Sequence, residues 1–201
     1  MAKKENLIIC SENLSLDYFP FFFSKDKADY YFHTLLRSID WQEETILILG
    51  KRITVPRLVS WYGDEETIYH YSGVKHDPKK WTEVLLEIKT CLQMRLGVEF
   101  NSVLANLYRN GQDSMGWHAD NEPELGEKPV IASVSFGVVR KFCLRHKKQK
   151  TAFTIPLRHG SVLLMHGETQ HYWKHALPKM KRVDEPRINL TFRSVYSAER
   201  K

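Results

Sequence analysis

Residues 114 to 122 read SMGWHADNE, and within them His118 and Asp120 stand two positions apart. On extended backbone, side chains two apart leave the same face, so this imidazole and carboxylate would enter one space. One more histidine would give two nitrogens and a carboxylate oxygen. That set holds Fe(II) from one side and leaves its other positions open for a co-substrate and O2. Five later histidines could supply the third ligand: His146, His159, His166, His171 and His175. An H-x-D pair also arises by chance on polar turns, so the remainder of the chain has to decide.

Near the C-terminus, EPRINLTFR carries Arg187, Asn189 and Arg193 at even spacings, which places all three on one strand face. A guanidinium fixed inward by strand geometry suits two-point recognition of a dicarboxylate, which a lysine ammonium does poorly. Asn106 and Tyr108 in ANLYR form a second pair two apart. The whole set is far more specific than any member.

These residues need elements to position them. FPFFFSKDKADYYFHTLLRSI predicts a helix entered near Ser24, with Ala28, Tyr31, Leu35 and Ile39 on its buried face. DPKKWTEVLLEIKTCLQMRLG predicts a second, capped by Asp77, with Pro78 in its first turn and its exit at Gly97. Trp81, Val84, Leu85, Ile88 and Leu92 form its buried stripe. Between Trp41 and Gly73 the pattern is mixed strand and loop. Beyond residue 100 come short β segments, SVLANLYR, VIASVSFGVV, KFCLRH, TAFTIPL, GSVLLMH and RINLTFR, separated by Gly, Pro, Asn and Asp. The reading is α+β: a helix-supported β-sandwich whose strand-rich half holds the H-x-D.

Composition sets the outer bounds. At 201 residues, 42% hydrophobic and 27% charged, the chain suits one sizeable globular domain, 1–201. No apolar run approaches the roughly 20 residues of a membrane span, and the stretch after the first lysines is too short for a signal peptide. Cys10, Cys91 and Cys143 are scattered and outside any C-x-x-C pair, which reads as buried free thiols in a reducing compartment. The net charge of +6 is compatible with nucleic acid. RKFCLRHKKQK (140–150) and PKMKRVDEPR (178–187) concentrate positive charge in the same half as the H-x-D.

ANLYRNGQDSMGWHAD, ASVSFGVVRKFCLRHK, HYWKHALP and PRINLTFR together make the chain resemble the AlkB family of Fe(II)/2-oxoglutarate dioxygenases over residues 40 to 195. The resemblance implies a double-stranded β-helix (jelly-roll) core at 100–195, supporting N-terminal helices, and a nucleotide-recognition hairpin and lid at 41–75. The family's distal ligand sits in an H-[AS]-L-P context, which selects His175 over His171. His118, Asp120 and His175 would hold Fe(II). Arg187 would pair with the far carboxylate of 2-oxoglutarate, helped by Tyr108, while Asn106, Asn189 and Arg193 line the rest of that pocket. The implied reaction is oxidative demethylation of N-alkylated bases such as 1-methyladenine and 3-methylcytosine in DNA. It consumes O2 and 2-oxoglutarate and releases succinate and formaldehyde.

On the substrate side, Tyr69 and Tyr71 in TIYHYSG share a strand face, and Tyr71 is the candidate to stack a flipped base against His118. Glu122 matches the family's acidic reader of an exocyclic amino group. ILILGKRITVPR resembles the hairpin that inserts an apolar finger into duplex DNA, with Leu49 at the tip where a well-known relative has an aromatic. Arg57 and the turn holding Lys179, Lys181 and Arg182 resemble that branch's backbone contacts, with RHKKQK a further phosphate candidate. An RNA or single-strand demethylase of the same fold is the alternative. A non-catalytic nucleic-acid binder is disfavoured, because every expected ligand is present. The expected state is a monomer, in a bacterial cytoplasm or, in a eukaryote, the nucleus.

Overall fold

The computed structural model describes residues 6–48, 50–65, 67, 69–71, 74–76 and 78–196, the side chains of 46–48, 51, 69–71 and 74–76 excepted. Leu49 and Asp77 lie outside the described residues, as do the side chains of Tyr69 and Tyr71. In chain order the first elements are β1 (Leu7–Ser11), β2 (Leu14–Phe19), α1 (Lys25–Ser38), β3 (Gln42–Ile48), β4 (Lys51–Gly63), β5 (Tyr69–Tyr71), β6 (Val74–His76) and α2 (Glu83–Leu96). There follow β7 (Ser102–Tyr108), β8 (Met115–His118), β9 (Ile131–Gly137), β10 (Arg140–His146) and β11 (Ala152–Leu157). The last are β12 (Ser161–His166), α3 (Thr169–Tyr172), β13 (Trp173–Leu177) and β14 (Arg187–Arg193).

Ser24 caps α1 by accepting from the Lys27 amide, a contact of about 1 kcal/mol, and Ala28, Tyr31 and Leu35 form the buried face. α2 starts later than the sequence predicts. Its cap is Thr82, which accepts from the Leu85 amide. Lys79 instead forms a parallel bridge to Tyr62, and its carbonyl takes the Gly63 amide, so residues there are held extended on β4 and cannot enter the helix. Trp81 accordingly precedes α2 and stacks on Phe192 at 6.3 Å. Gly97 ends the helix at φ +67, a left-handed turn that glycine adopts without a Cβ clash.

The strands form an eight-stranded sheet, β1-β2-β12-β9-β14-β7-β4-β3, and a four-stranded sheet, β11-β10-β13-β8. Side chains between the sheets, among them Leu16, Phe142, Leu144, Leu163, Met165 and Trp173, make one core. The other face of the large sheet carries α1 and α2, whose Leu35 and Ile88 join Val103, Phe136, Leu190 and Phe192 of the sheet in a second core. This two-sheet arrangement is the jelly roll expected. Residues 7–19, given no element from sequence, add β1 and β2 to the large sheet.

β3 and β4 pair antiparallel, with Ile48 facing Lys51, and Gly50 between them stands at φ +77. No described helix is long and apolar enough to cross a membrane. The cysteines are free, but Cys10 is exposed and Cys91 and Cys143 are half-buried, which corrects the expectation that all three are buried. Cys10 sits on β1, an edge strand of the large sheet.

Candidate metal centre and co-substrate cleft

The alternation of β14 builds the site. Ile188, Leu190 and Phe192 enter the helix-backed core, which turns Arg187, Asn189, Thr191 and Arg193 towards the other sheet. β7 pairs antiparallel with β14, Tyr108 opposite Arg187 and Asn106 opposite Asn189, so the two strands deliver those side chains side by side. On the opposing sheet, His118 of β8 and His175 of β13 are direct partners. Between the sheets is a cleft lined by Asn106, Tyr108, His118, Asp120 and His175 together with the four inward side chains of β14.

His118, Asp120 and His175 bring their ligand atoms within 4.8 Å of one another. His118 Nδ1 lies 2.9 Å from the Gly116 carbonyl, which can only accept, so Nδ1 carries a hydrogen and Nε2 is the nitrogen turned to the cleft. That Nε2 is 3.4 Å from Asp120 Oδ1, and His175 Nε2 is 4.0 Å from the same oxygen. Asp120 is buried; Arg193 Nη2 donates to its Oδ2 at 2.8 Å, whereas Oδ1 has no hydrogen-bond donor. Burial alone would raise the Asp120 carboxyl. Arg193, with His118 and His175 close by, outweighs it and holds the group well below the usual carboxylate range. Burial, with the nearby charge of His118, pushes His175 down to about 3. A carboxylate with one orphaned oxygen facing two imidazole nitrogens fits a divalent iron in a two-histidine, one-carboxylate site.

His171, the nearest rival to His175, points elsewhere: it is exposed and its Nε2 meets the Glu127 carbonyl. His146, His159 and His166 are engaged with backbone amides or with aspartates far from the triad.

Deeper in the cleft, Arg187 is 1% exposed and gives Nη2 to Ser135 Oγ at 2.8 Å. Its Nε and Nη1 meet no acceptor among the described residues. Burial pushes this guanidinium down to about 10, the Tyr108 side chain resisting the shift, so it remains charged near neutrality. Tyr108 stands with its ring 5.4 Å from the Arg187 guanidinium carbon. Asn189 donates to Ser133 Oγ and the Val134 carbonyl, both at 2.9 Å. Two unused donors on a buried cation suit a ligand carboxylate.

Arg57 corrects an expectation. Read as a contact to a DNA backbone, it is instead 3% exposed and donates Nε to Asn106 Oδ1 at 2.7 Å inside the cleft. Its parity on β4 explains this, because Val55 and Val59, two residues to either side, are also buried. Arg193 touches the Asp120 carboxylate as well as lining the cleft. Glu122 is half-buried at the start of a short 3-10 turn, Pro123–Leu125, rather than among the cleft-lining residues. Lys179, Lys181 and Arg182 are exposed on the turn before β14.

Sequence reading gave no role to Ser133, Ser135, Gln170 or Arg140. The two serines had a signal, polar residues at alternate positions of an otherwise apolar strand. Arg140 is fully buried and donates to the carbonyls of Asn110, Asp113 and Pro178, which fastens two turns at the cleft rim. Nothing in its local sequence distinguishes it from the surface cations that follow it.

Comparison with known proteins agrees with this geometry. The profile of the 2OG-Fe(II) oxygenase superfamily matches residues 15–193. Bovine alpha-ketoglutarate-dependent dioxygenase alkB homolog 3 is 43% identical over 88% of this chain and 65% of its own length. The chain thus spans about two thirds of that relative. Human DNA oxidative demethylase ALKBH2 is 38% identical over 93% of this chain and 76% of its own. The solved structure of OsALKBH1 superposes with a TM-score of 0.66 at 18% identity, over 94% of this chain and all of that one, which is a likeness of fold. The chain belongs to the 2OG-Fe(II) oxygenase superfamily and, within it, to the AlkB family.

Proposed function

We propose that the chain is an Fe(II)- and 2-oxoglutarate-dependent dioxygenase that demethylates 1-methyladenine and 3-methylcytosine in DNA. The observation that carries the reading is the orphaned Asp120 Oδ1 facing His118 and His175 in one cleft with the unused donors of Arg187. The names of the relatives, an alpha-ketoglutarate-dependent dioxygenase and a DNA oxidative demethylase, support the same chemistry.

His118, Asp120 and His175 would hold iron, which when bound supplies the oxidation of the methyl group with O2 and 2-oxoglutarate. The chain does the positioning. Arg187 takes the far carboxylate of 2-oxoglutarate, and Ser135 holds that guanidinium in place. Asn106, Asn189 and Tyr108 fix the co-substrate's lateral position, and the two sheets keep bulk water from its buried end. Glu122, Tyr69, Tyr71 and Leu49 remain the proposed base-side groups, and the chain is proposed to act as a monomer. Lys181 and Arg182, with the 147–150 stretch, are the proposed phosphate contacts.

A single-strand or RNA substrate is the second reading, and Arg57 favours it: one of the backbone contacts expected for duplex DNA is buried inside the cleft. Matched single- and double-stranded DNA and single-stranded RNA oligonucleotides, each with one 1-methyladenine, separate these readings. Demethylation of both DNA forms that vanishes in His175→Ala supports the first reading. Action on single strands alone moves the assignment to the second reading. No demethylation of any, with iron and 2-oxoglutarate bound, removes the substrate assignment.

A further inference from the structure

α3 is a single turn, and it is fastened on several sides. Thr169 Oγ1 donates to the His166 carbonyl at 2.7 Å and accepts from the Ser15 amide at 3.0 Å, which ties the turn to β12 and β2. From β10's end, the Lys147 amide donates to the Tyr172 carbonyl at 2.8 Å and Lys147 Nζ to the Gln170 carbonyl at 3.0 Å. So held, α3 aims the buried Gln170 side chain at the Asp120 backbone.

Gln170 Oε1 accepts from the Asp120 amide at 2.9 Å, and Nε2 faces Met165 Sδ at 3.5 Å. The orientation of the side-chain amide follows from the first contact, because a backbone N–H can only donate. Asp120 lies two residues past the end of β8, outside the sheet ladder, so its N–H has no strand carbonyl to meet. One end of the aspartate is therefore held by Gln170 through the backbone and the other by Arg193 through Oδ2.

We infer that Gln170 is a positioning residue for the metal carboxylate: through it, α3 braces the Asp120 backbone so that Oδ1 faces the two imidazoles. The inference rests on the iron reading of the triad and not on any nucleic-acid substrate. Without the acceptor, a buried N–H is left unpaired, and the loop has to shift to reach water. The carboxylate then loses its aim while the three ligands are all still present. Groups that orient a metal ligand in this way commonly change metal affinity by about 10–100-fold when removed.

The test is titration of Mn(II) alone into the metal-free full chain and into Gln170→Leu, Gln170→Met and Gln170→Glu, each first checked by thermal melting. The Leu and Met variants are expected to bind Mn(II) about 10–100-fold more weakly than the parent. Gln170→Glu keeps an acceptor oxygen at the same reach and is expected to recover most of the loss, a rescue that filling space alone does not produce. A folded Leu variant within twofold of the parent overturns the role of Gln170, as does a Glu variant no tighter than Leu. If Gln170→Leu does not fold, the Glu and Met variants decide by the same comparison. A parent chain that takes up no Mn(II) overturns the iron reading, and this inference with it.

Discussion

Arg187 combines a stability cost with a binding role in one side chain. It is a buried cation with one hydroxyl partner and two donors that meet no acceptor among the described residues. Burying charge on these terms is unfavourable unless a counter-charge arrives. Replacing it with an apolar side chain of similar length is therefore expected to stabilise the free chain by about 1–4 kcal/mol. Thermal melts of parent and Arg187→Met, each with Mn(II) and with or without 2-oxoglutarate, check both halves. The variant should melt higher than the parent when 2-oxoglutarate is absent and should show no further rise when it is added. A variant that melts lower, or that 2-oxoglutarate still stabilises, would show that Arg187 is held by the fold rather than kept for the ligand. The even spacing of Arg187, Asn189 and Arg193 made this face legible in the sequence, because strand parity is a local property. The same parity applied to Val55, Arg57 and Val59 would have put Arg57 inside, where the structure has it.

At the scale of elements, the cleft rim is two turns locked together through main chain. Gly111, between β7 and β8, takes the Met180 amide on its carbonyl at 2.8 Å and gives its own amide to the Val183 carbonyl at 2.6 Å. A Cβ on Gly111 would lie 1.9 Å from the Met180 carbonyl oxygen, a contact with backbone that no rotamer relieves. Gly111→Ala is expected to cost about 1–3 kcal/mol or more, by the overpacking it forces. Urea denaturation checks this, and an unchanged midpoint would mean the turns separate freely. Such a clamp was not readable from the chain, because it joins residues far apart in sequence through backbone atoms, whose identity leaves no mark. The late start of α2 was hidden for a related reason. Asp77-Pro78 is a good local entry signal, but the bridge from Lys79 to Tyr62 holds the following residues extended. β1 and β2 likewise depend on β12 for pairing, which their short stretch does not announce.

For the whole molecule, the 30 Lys and Arg residues against 24 Asp and Glu give the formal charge of +6, and its placement matters more than its size. No acidic residue occurs from Arg140 through His166, and the turn with Lys179, Lys181 and Arg182 is exposed at the cleft rim. The cations inside the cleft, Arg57, Arg187 and Arg193, are by contrast almost fully buried. Salt should therefore separate the two kinds of recognition. Exposed phosphate contacts release counterions on binding, with a slope of about −0.7 in log affinity per log salt for each contact on a single strand. Four such contacts would give about −3, and removing two would flatten it by about 1.4. Binding of an unmethylated single-stranded oligonucleotide, measured across salt for the parent and for Lys181→Ala with Arg182→Ala, is expected to show that flattening. Over the same range 2-oxoglutarate affinity in the presence of Mn(II) should change far less, because its partner is screened by protein rather than by ions. Equal slopes in parent and variant would move the nucleic-acid path off this rim and onto the 147–150 stretch or another face. A salt dependence of 2-oxoglutarate binding as steep as that of the oligonucleotide would mean that the co-substrate end of the cleft is open to solvent.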